Sequence, residues 1–275
     1  MRRARARAAA VDRARPRRAR AELVSIPELA LLIGALALAG LAKGVTGMGL
    51  PLFATPILAA VFGARTAVVV MSIPTFVTNF LLIVEGRDAL PVLRRIWPVA
   101  VAGMLGVVVG LYLLVRIDQS LLSLVIAGLV VLVLARGDRV LGDDPAALHV
   151  RIIGPVMGAI GGVLLGATSI ASPAVAGYFH ALRLPPREFV LALAVLFQLL
   201  GTVQVLGLWR LGEYDGEIVR IAVFALVPML VTFAVGVRLR RRLDSLVFRR
   251  LIAGFLALSA LVLAWQGLHG LGVLS

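Results

Sequence analysis

Apolar residues occupy most of the chain in long runs, which short polar or charged stretches separate. Most runs contain the roughly 20 residues that a helix needs to cross about 30 Å of hydrocarbon, and none alternates strictly as a membrane barrel strand does. Because lipid cannot satisfy exposed backbone polar groups, helices are the expected structure. The pattern predicts an all-α, polytopic membrane protein. The runs lie near residues 26–62, 66–84, 96–115, 120–135, 152–182, 189–209, 218–237 and 246–265.

The first and fifth runs are too long for one plain crossing. A continuous helix over residues 26–62 would measure about 55 Å at ~1.5 Å per residue, well beyond the thickness of the hydrocarbon. Both runs contain glycine or small polar residues followed by a proline, in "GLAKGVTGMGLP" (40–51) and "GVLLGATSIASP" (162–173). We therefore expect each run to bend, break or double back there, with a short helix from Pro51 to Phe62 after the first break.

These two break segments align with each other. A shift of 122 residues pairs six identical residues and keeps the apolar runs in phase, which indicates an internal duplication. In secondary transporters, interrupted helices in corresponding positions of two repeats point to a substrate site at mid-membrane. We predict two pseudo-symmetric repeats of about four helical segments each, with a broken or re-entrant first helix in each repeat. The pairs are Gly40 with Gly162, Gly44 with Gly166, Thr46 with Thr168, Pro51 with Pro173, Arg65 with Arg187 and Arg116 with Arg238.

Composition divides the chain into five parts. Nine of the first twenty residues are Arg, and three interpretations of this tail stay open: a cytoplasmic flank that follows the positive-inside rule, a contact for anionic lipid or nucleic acid, or a start site placed too early. The placement of Arg also leaves the membrane orientation open. The parts are an Arg-rich tail (1–25) that is expected to be disordered, a first membrane repeat (26–135), a polar hinge (136–150), a second membrane repeat (151–268) and a short C-terminal tail (269–275).

The overall composition excludes several classes of protein. The chain is 61% hydrophobic with a mean hydropathy of +1.03 and contains no cysteine, so a soluble domain, a disulfide framework and a thiolate metal site are all excluded. No Asp or Glu lies inside a run except at its edges, at Glu28, Glu85 and Glu188, which leaves no cage for a hard cation. There is no Walker A or HExxH motif. We expect no enzymatic activity, no cofactor and no metal.

Lys43 is the chain's only lysine and lies inside the first long run. An ionisable residue inside a membrane marks a functional site by default, although a lysine near the far surface could instead extend its head group to the interface. The freed amides of a glycine-rich break and the positive end of the short helix from Pro51 would add to its charge. This combination suits a small oxyanion. For Gly40 and Gly162 alone, close helix packing is the better interpretation.

The helices after each break carry polar side chains on one face. Ser72, Thr75 and Asn79 share a face of the second run, and Gln198 and Thr202 share a face of the sixth. Hydrogen bonding between helices explains the hydroxyl residues at least as well as a pathway does, whereas the larger Asn79 and Gln198 favour a pathway. The predicted substrate-binding residues are Lys43, Gly44, Thr46, Gly47, Gly49, Asn79, Gly166, Thr168, Ser169, Ser172 and Gln198.

Four motifs occur in order along the chain: "AGLAKGVTGMGLP", "ARTAV", "GGVLLGATSIASP" and "LPPREFVLALAVLFQLL". In their order and duplication they resemble the TauE/SafE family of membrane permeases, also called the 4-toluene sulfonate uptake permease family, over about residues 26–265. The resemblance implies transport of sulfite, sulfonates and other organosulfur anions. Its matched positions run from Lys43 to Gly49 with Pro51, and from Gly166 to Pro173. The second break has Thr, Ser and Ala where the family pattern would have further glycines.

The sequence predicts a secondary transporter of small sulfur-containing oxyanions such as sulfite, sulfonates or sulfoacetate-like anions, with export favoured. We expect it in the inner membrane of a bacterial cell, with the anion and the lipid bilayer as partners and without nucleic acid. Assembly into a homo-oligomer is left open. The alternatives are a membrane scaffold or assembly factor without transport, a permease for a carboxylate or a metal ion, and a nucleic-acid binder that uses the Arg-rich tail.

Overall fold

The chain folds as a bundle of helices. The computed structural model describes residues 26–85, 93–118, 147–171 and 186–239, together with the single positions 121, 124, 128, 175, 179, 261 and 265. Within these residues the regular structure is entirely helical, as predicted. The helices are α1 (Ile26–Thr46), α2 (Leu50–Phe62), α3 (Ala64–Glu85), α4 (Leu93–Arg116), α5 (Ala147–Thr168), α6 (Pro186–Arg210) and α7 (Gly216–Leu239).

Four of these helices are long and apolar enough to cross a membrane. They are α3, α4, α6 and α7, each with a mean hydropathy above 2 over its most apolar stretch. The apolar parts of α1 and α5, and the whole of α2, are shorter. The prediction of a polytopic all-α membrane protein is therefore confirmed at this level.

The outward faces of α4 and α7 are apolar. Leu105 and Val108 on α4, and Val227 and Val231 on α7, are all more than half exposed. Trp209, at the end of α6, is also exposed, as expected for an aromatic anchor at a membrane interface. Exposing such faces to water would be unfavourable in free energy, whereas exposing them to lipid acyl chains is not.

Glycines bring the helices of the first half (residues 26–118) against those of the second half (147–239). A Cβ atom added at Gly40 on α1 would lie 2.3 Å from the Met229 carbonyl oxygen on α7, and one added at Gly162 on α5 would lie 2.0 Å from the Gly103 carbonyl oxygen on α4. The packing interpretation of Gly40 and Gly162 is confirmed. The first helix of each half thus packs on the last helix of the other half.

The shift of 122 residues does not extend to the last helix of each half. Gly44 on α1 lies against Gly236 on α7, while Gly166 on α5 lies against Gly110 on α4. Gly110 and Gly236 therefore occupy equivalent positions in the packing. Their separation along the sequence exceeds the shift of 122 residues by four residues, which is about one helical turn. The match of Arg116 with Arg238 does not join equivalent positions.

The predicted divisions of the chain are only partly covered. Residues 1–25 and 269–275 lie outside the described residues, as does most of the predicted hinge. Helix α5 begins at Ala147, four residues before the predicted start of the second repeat. This extension follows the sequence "AALHV" (146–150), which contains neither glycine nor proline and can continue a helix toward its N-terminus.

Candidate functional site

The first long run is interrupted between α1 and α2, at Gly47–Gly49. Gly47 and Gly49 have φ values of 78° and 91°, in the left-handed region that favours glycine. The Gly47 amide donates to the Lys43 carbonyl oxygen at 2.8 Å and ends α1. Thr46 Oγ1 donates to the Ala42 carbonyl oxygen and accepts from the Met48 amide, which satisfies backbone groups that the break would leave open. The predicted short helix follows as α2.

The start of the second break repeats the geometry of the first, 122 residues later. Helix α5 ends at Thr168, and the next residue, Ser169, has a φ of 60°, the only positive value at a non-glycine position among the described residues. The Ser169 amide donates to the Leu165 carbonyl oxygen at 2.8 Å. Thr168 Oγ1 donates to the Leu164 carbonyl oxygen and accepts from the Ile170 amide. Each of these contacts has its counterpart in the first break.

The two breaks meet at a small cleft. Its enclosed part has room for about one water molecule. Three pairs of lining residues are related by the shift of 122 residues: Lys43 with Leu165, Gly49 with Ala171, and Thr75 with Phe197. The cleft is lined by Lys43, Gly49, Pro51, Thr75, Leu165, Ser169, Ala171 and Phe197.

Lys43 is buried in the protein interior. Its side chain is 1% exposed, and its Nζ atom donates to Asn79 Oδ1 on α3. The Phe197 ring centroid lies 5.9 Å from Nζ, within the range of a cation–π contact. The described residues give Lys43 no carboxylate partner. The alternative that this lysine extends its head group to the membrane interface is therefore wrong.

A glutamine on α6 supports the second break. Gln204 Nε2 donates to the Leu165 carbonyl oxygen at 2.8 Å and to Ser169 Oγ at 3.1 Å. Ser169 Oγ in turn donates to the Val68 carbonyl oxygen on α3. Sequence analysis overlooked Gln204, although it lies in the same polar segment as Gln198 and Thr202. The signal was its size and polarity within an apolar helix.

The other predicted site residues occupy several different environments. Thr46 and Thr168 make hydrogen bonds to backbone groups at the two breaks. Gly44 and Gly166 lie where two helices cross. Contact of these four residues with substrate stays a prediction. Gln198 is partly buried and its Oε1 atom has no hydrogen-bond partner. Ser172 lies outside the described residues.

The remaining hydroxyl residues of the predicted polar faces also differ from one another. Thr202 donates to the carbonyl oxygen of Gln198 within its own helix. Ser72 donates to the Val69 carbonyl oxygen and pairs with the Tyr214 hydroxyl at 2.6 Å. Thr75 lines the cleft. Hydrogen bonding within the protein therefore explains Ser72 and Thr202.

The connection between α6 and α7 is tied to the start of α3. Arg65 donates through Nε to Glu213 Oε2 at 3.0 Å, and a second Arg65 nitrogen bonds the other carboxylate oxygen. Burial raises the pKa of Tyr214 above its ordinary value, and its hydrogen bond with Ser72 opposes that rise. Both contacts cross between the two halves.

Among the described residues, no three His, Asp or Glu side chains lie close enough to share a metal ion.

Comparison with known proteins assigns the chain to a family. Neither the curated proteins nor the solved structures gave a match to the chain. A family comparison matches residues 32–263 to the description "Sulfite exporter TauE/SafE". That match spans most of α1, all of α2 to α7 and both breaks, so the chain belongs to the sulfite exporter TauE/SafE family of membrane transporters.

Proposed function

We propose that this protein exports a small sulfur oxyanion, such as sulfite or a sulfonate, from the cell, and that the cleft between the two breaks is its binding site. Family membership supports the class of solute. The residues that line the cleft support its assignment as the binding site, because the chain's only lysine is among them. The protein is proposed to act in the inner membrane of a bacterial cell.

The observation that carries this proposal is the burial of Lys43 with no counter-charge within the described part of the chain. Removing an ammonium group from water costs several kcal/mol unless a partner compensates for it. In the described residues its side-chain partner is Asn79 Oδ1, a neutral amide oxygen. Such a position favours an anion that brings the missing negative charge.

Backbone groups of the first break would complete the site. Gly49 and Pro51 line the cleft where α2 begins, so the positive N-terminal end of this helix borders the same space. Pro51 has no amide to leave unpaired there. An anion between Lys43 and this helix start would meet two independent sources of positive potential.

The shared geometry of the two breaks supports a duplicated architecture. Inverted repeats with substrate held between them are a common plan for secondary transporters, and they work by rocking one half against the other. The enclosed part of the cleft has room for about one water, and rocking of the halves would enlarge it for an anion of four or more heavy atoms. Expelling a monoanion from a negative cell interior is favourable by about 2.3 kcal/mol per 100 mV, so export needs no coupled ion.

Efflux of radiolabelled sulfite from proteoliposomes tests the proposal. Protein-containing vesicles should release sulfite faster than protein-free vesicles, and an inside-negative potential should accelerate the release. Lys43→Met should slow it at least about tenfold, the effect of losing roughly 1.4 kcal/mol of binding. Arg220→Met, which removes an exposed cation from α7, serves as the matched control and should leave efflux unchanged.

Two results would contradict this assignment. If wild-type vesicles release sulfite no faster than empty ones, the protein is not a sulfite transporter under these conditions and the scaffold alternative gains support. If Lys43→Met transports as well as the wild type, the lysine is not part of the site.

A further inference from the structure

Thr75 combines a buried, unpartnered hydroxyl group with a position at the wall of the cleft. It lies on α3, one turn before Asn79, and lines the cleft beside Lys43. Its side chain is 9% exposed, and Oγ1 has no hydrogen-bond partner among the residues that the structure describes. A buried hydroxyl without a partner is unusual in a folded protein and calls for an explanation.

Other threonines in these helices show what is ordinary. A helical threonine in an apolar environment donates to the carbonyl oxygen four residues earlier, as Thr78 does to Pro74 at 2.8 Å. Thr46, Thr168, Thr202 and Thr232 make the same bond. Thr75 does not, although it is on the same helix as Thr78. Its hydroxyl therefore stays available at the wall of the cleft.

The other polar side chains that line the cleft are Ser169, which already has hydrogen-bond partners, and Lys43, which is a cation. Ser169 donates to the Val68 carbonyl oxygen and accepts from Gln204, so its hydroxyl has no proton to offer. Across the cleft, the counterpart of Thr75 is Phe197, which has no donor. Among the described lining residues, the available side-chain donors are thus Lys43 and Thr75, both from the first half.

We propose that Thr75 is a substrate ligand whose hydroxyl donates to one oxygen of the bound oxyanion and makes the site prefer a three-oxygen head group over a two-oxygen carboxylate. This inference rests on the proposed function, which places the anion in the same cleft. The ammonium of Lys43, the first-turn amides of α2 and the Thr75 hydroxyl form three separate donor groups. A sulfonate or sulfite has an oxygen for each of them.

A carboxylate would use this site less completely. Its two oxygens lie in one plane and can be directed at Lys43 and at the helix start, but it has no third oxygen to direct at the Thr75 hydroxyl. A site that leaves a buried polar group unpaired discriminates strongly against the ligand that fails to pair it. Loss of the hydroxyl should therefore weaken binding of a sulfonate much more than binding of a carboxylate.

Methanesulfonate and acetate form the sharpest pair of probes, since both are monoanions with the same methyl substituent. Their dissociation constants would be measured by calorimetry on the full chain in detergent. Thr75→Val keeps the shape of the side chain and removes the hydroxyl, whereas Thr75→Ser keeps the hydroxyl. Thr55→Val is the matched control, because Thr55 is also buried with an unpartnered hydroxyl but does not line the cleft.

Thr75→Val should raise the methanesulfonate Kd about tenfold, the equivalent of one lost hydrogen bond, and change the acetate Kd less than about twofold. Thr75→Ser should stay within about threefold of wild type for both anions, and Thr55→Val should match wild type. An equal loss for both anions in Thr75→Val, or no loss at all, would overturn the role of Thr75 while leaving the proposed function intact. Failure of the wild type to bind methanesulfonate or sulfite would overturn both.

Discussion

At the residue scale, the unusual feature is a lysine held by an asparagine in the protein interior. The sequence marked Lys43 as a functional residue, because a single cation in an apolar run has no packing reason to be there. It also selected Asn79 by its size and polarity. It could not show that these two side chains meet, since they lie 36 positions apart on helices whose packing depends on tertiary contacts.

This pairing predicts a non-additive effect on stability. Asn79→Leu leaves the Lys43 ammonium without its acceptor and should lower the free energy of unfolding by about 1–3 kcal/mol. Lys43→Met combined with Asn79→Leu replaces both polar partners and should recover most of that loss. Denaturant unfolding in detergent, without added anion, measures the four members of the cycle. Simple addition of the two single effects would mean that the contact contributes little.

At the element scale, glycines serve two purposes, which the sequence separated only in part: it assigned Gly40 to helix packing and the later glycines of α1 to the break. Those at the break are required by backbone conformation, whereas those one turn or more earlier let α1 approach α7. The sequence predicted the break correctly from the length of the run and the glycine-rich segment. It could not show that Gly44 lies against α7, because a linear motif carries no information about which side of a helix meets a neighbour.

Two alanine substitutions on α1 distinguish these situations. Gly44→Ala would place a Cβ atom 2.3 Å from the Phe233 carbonyl oxygen, so α1 and α7 must move apart, and we expect a loss of about 1–3 kcal/mol in stability. Gly34→Ala is the control on the same helix, because nothing lies within 4 Å of its added Cβ. That substitution should be neutral or stabilise by about 0.5–1 kcal/mol. Thermal unfolding of both variants checks the contrast, which equal losses would refute.

At the scale of the whole molecule, two structurally similar breaks with different side chains surround one cleft. A shift of 122 residues, found in the sequence, predicted the equivalence of the breaks. Nothing in the sequence showed that the first helix of each half packs on the last helix of the other, because that exchange arises only from contacts between distant segments. Phe197, which lines the cleft, was missed for the same reason.

Equivalence of the two sides predicts that the charge can be moved from one to the other. Lys43→Leu should weaken sulfite binding at least about tenfold. Adding Leu165→Lys places an ammonium at the matching position, which also lines the cleft, and Gly201→Asn supplies an amide where the shift places the counterpart of Asn79. A Cβ atom added at Gly201 would contact only the Phe76 ring, at 3.9 Å, so the first atom of the new side chain fits without a clash.

The triple variant should bind sulfite more tightly than Lys43→Leu and come within about tenfold of wild type, since the cation faces the same cleft with a similar acceptor. Calorimetric titration with sulfite measures this, and circular dichroism confirms that each variant keeps its helices. Leu165→Lys with Gly201→Asn in the presence of Lys43 is the matched control: two ammonium groups in one small cleft should repel each other, lower the stability of the empty protein and be relieved by bound anion. A folded triple variant that binds no better than Lys43→Leu would mean that the two sides of the cleft are not interchangeable, and that the first break holds the anion by itself.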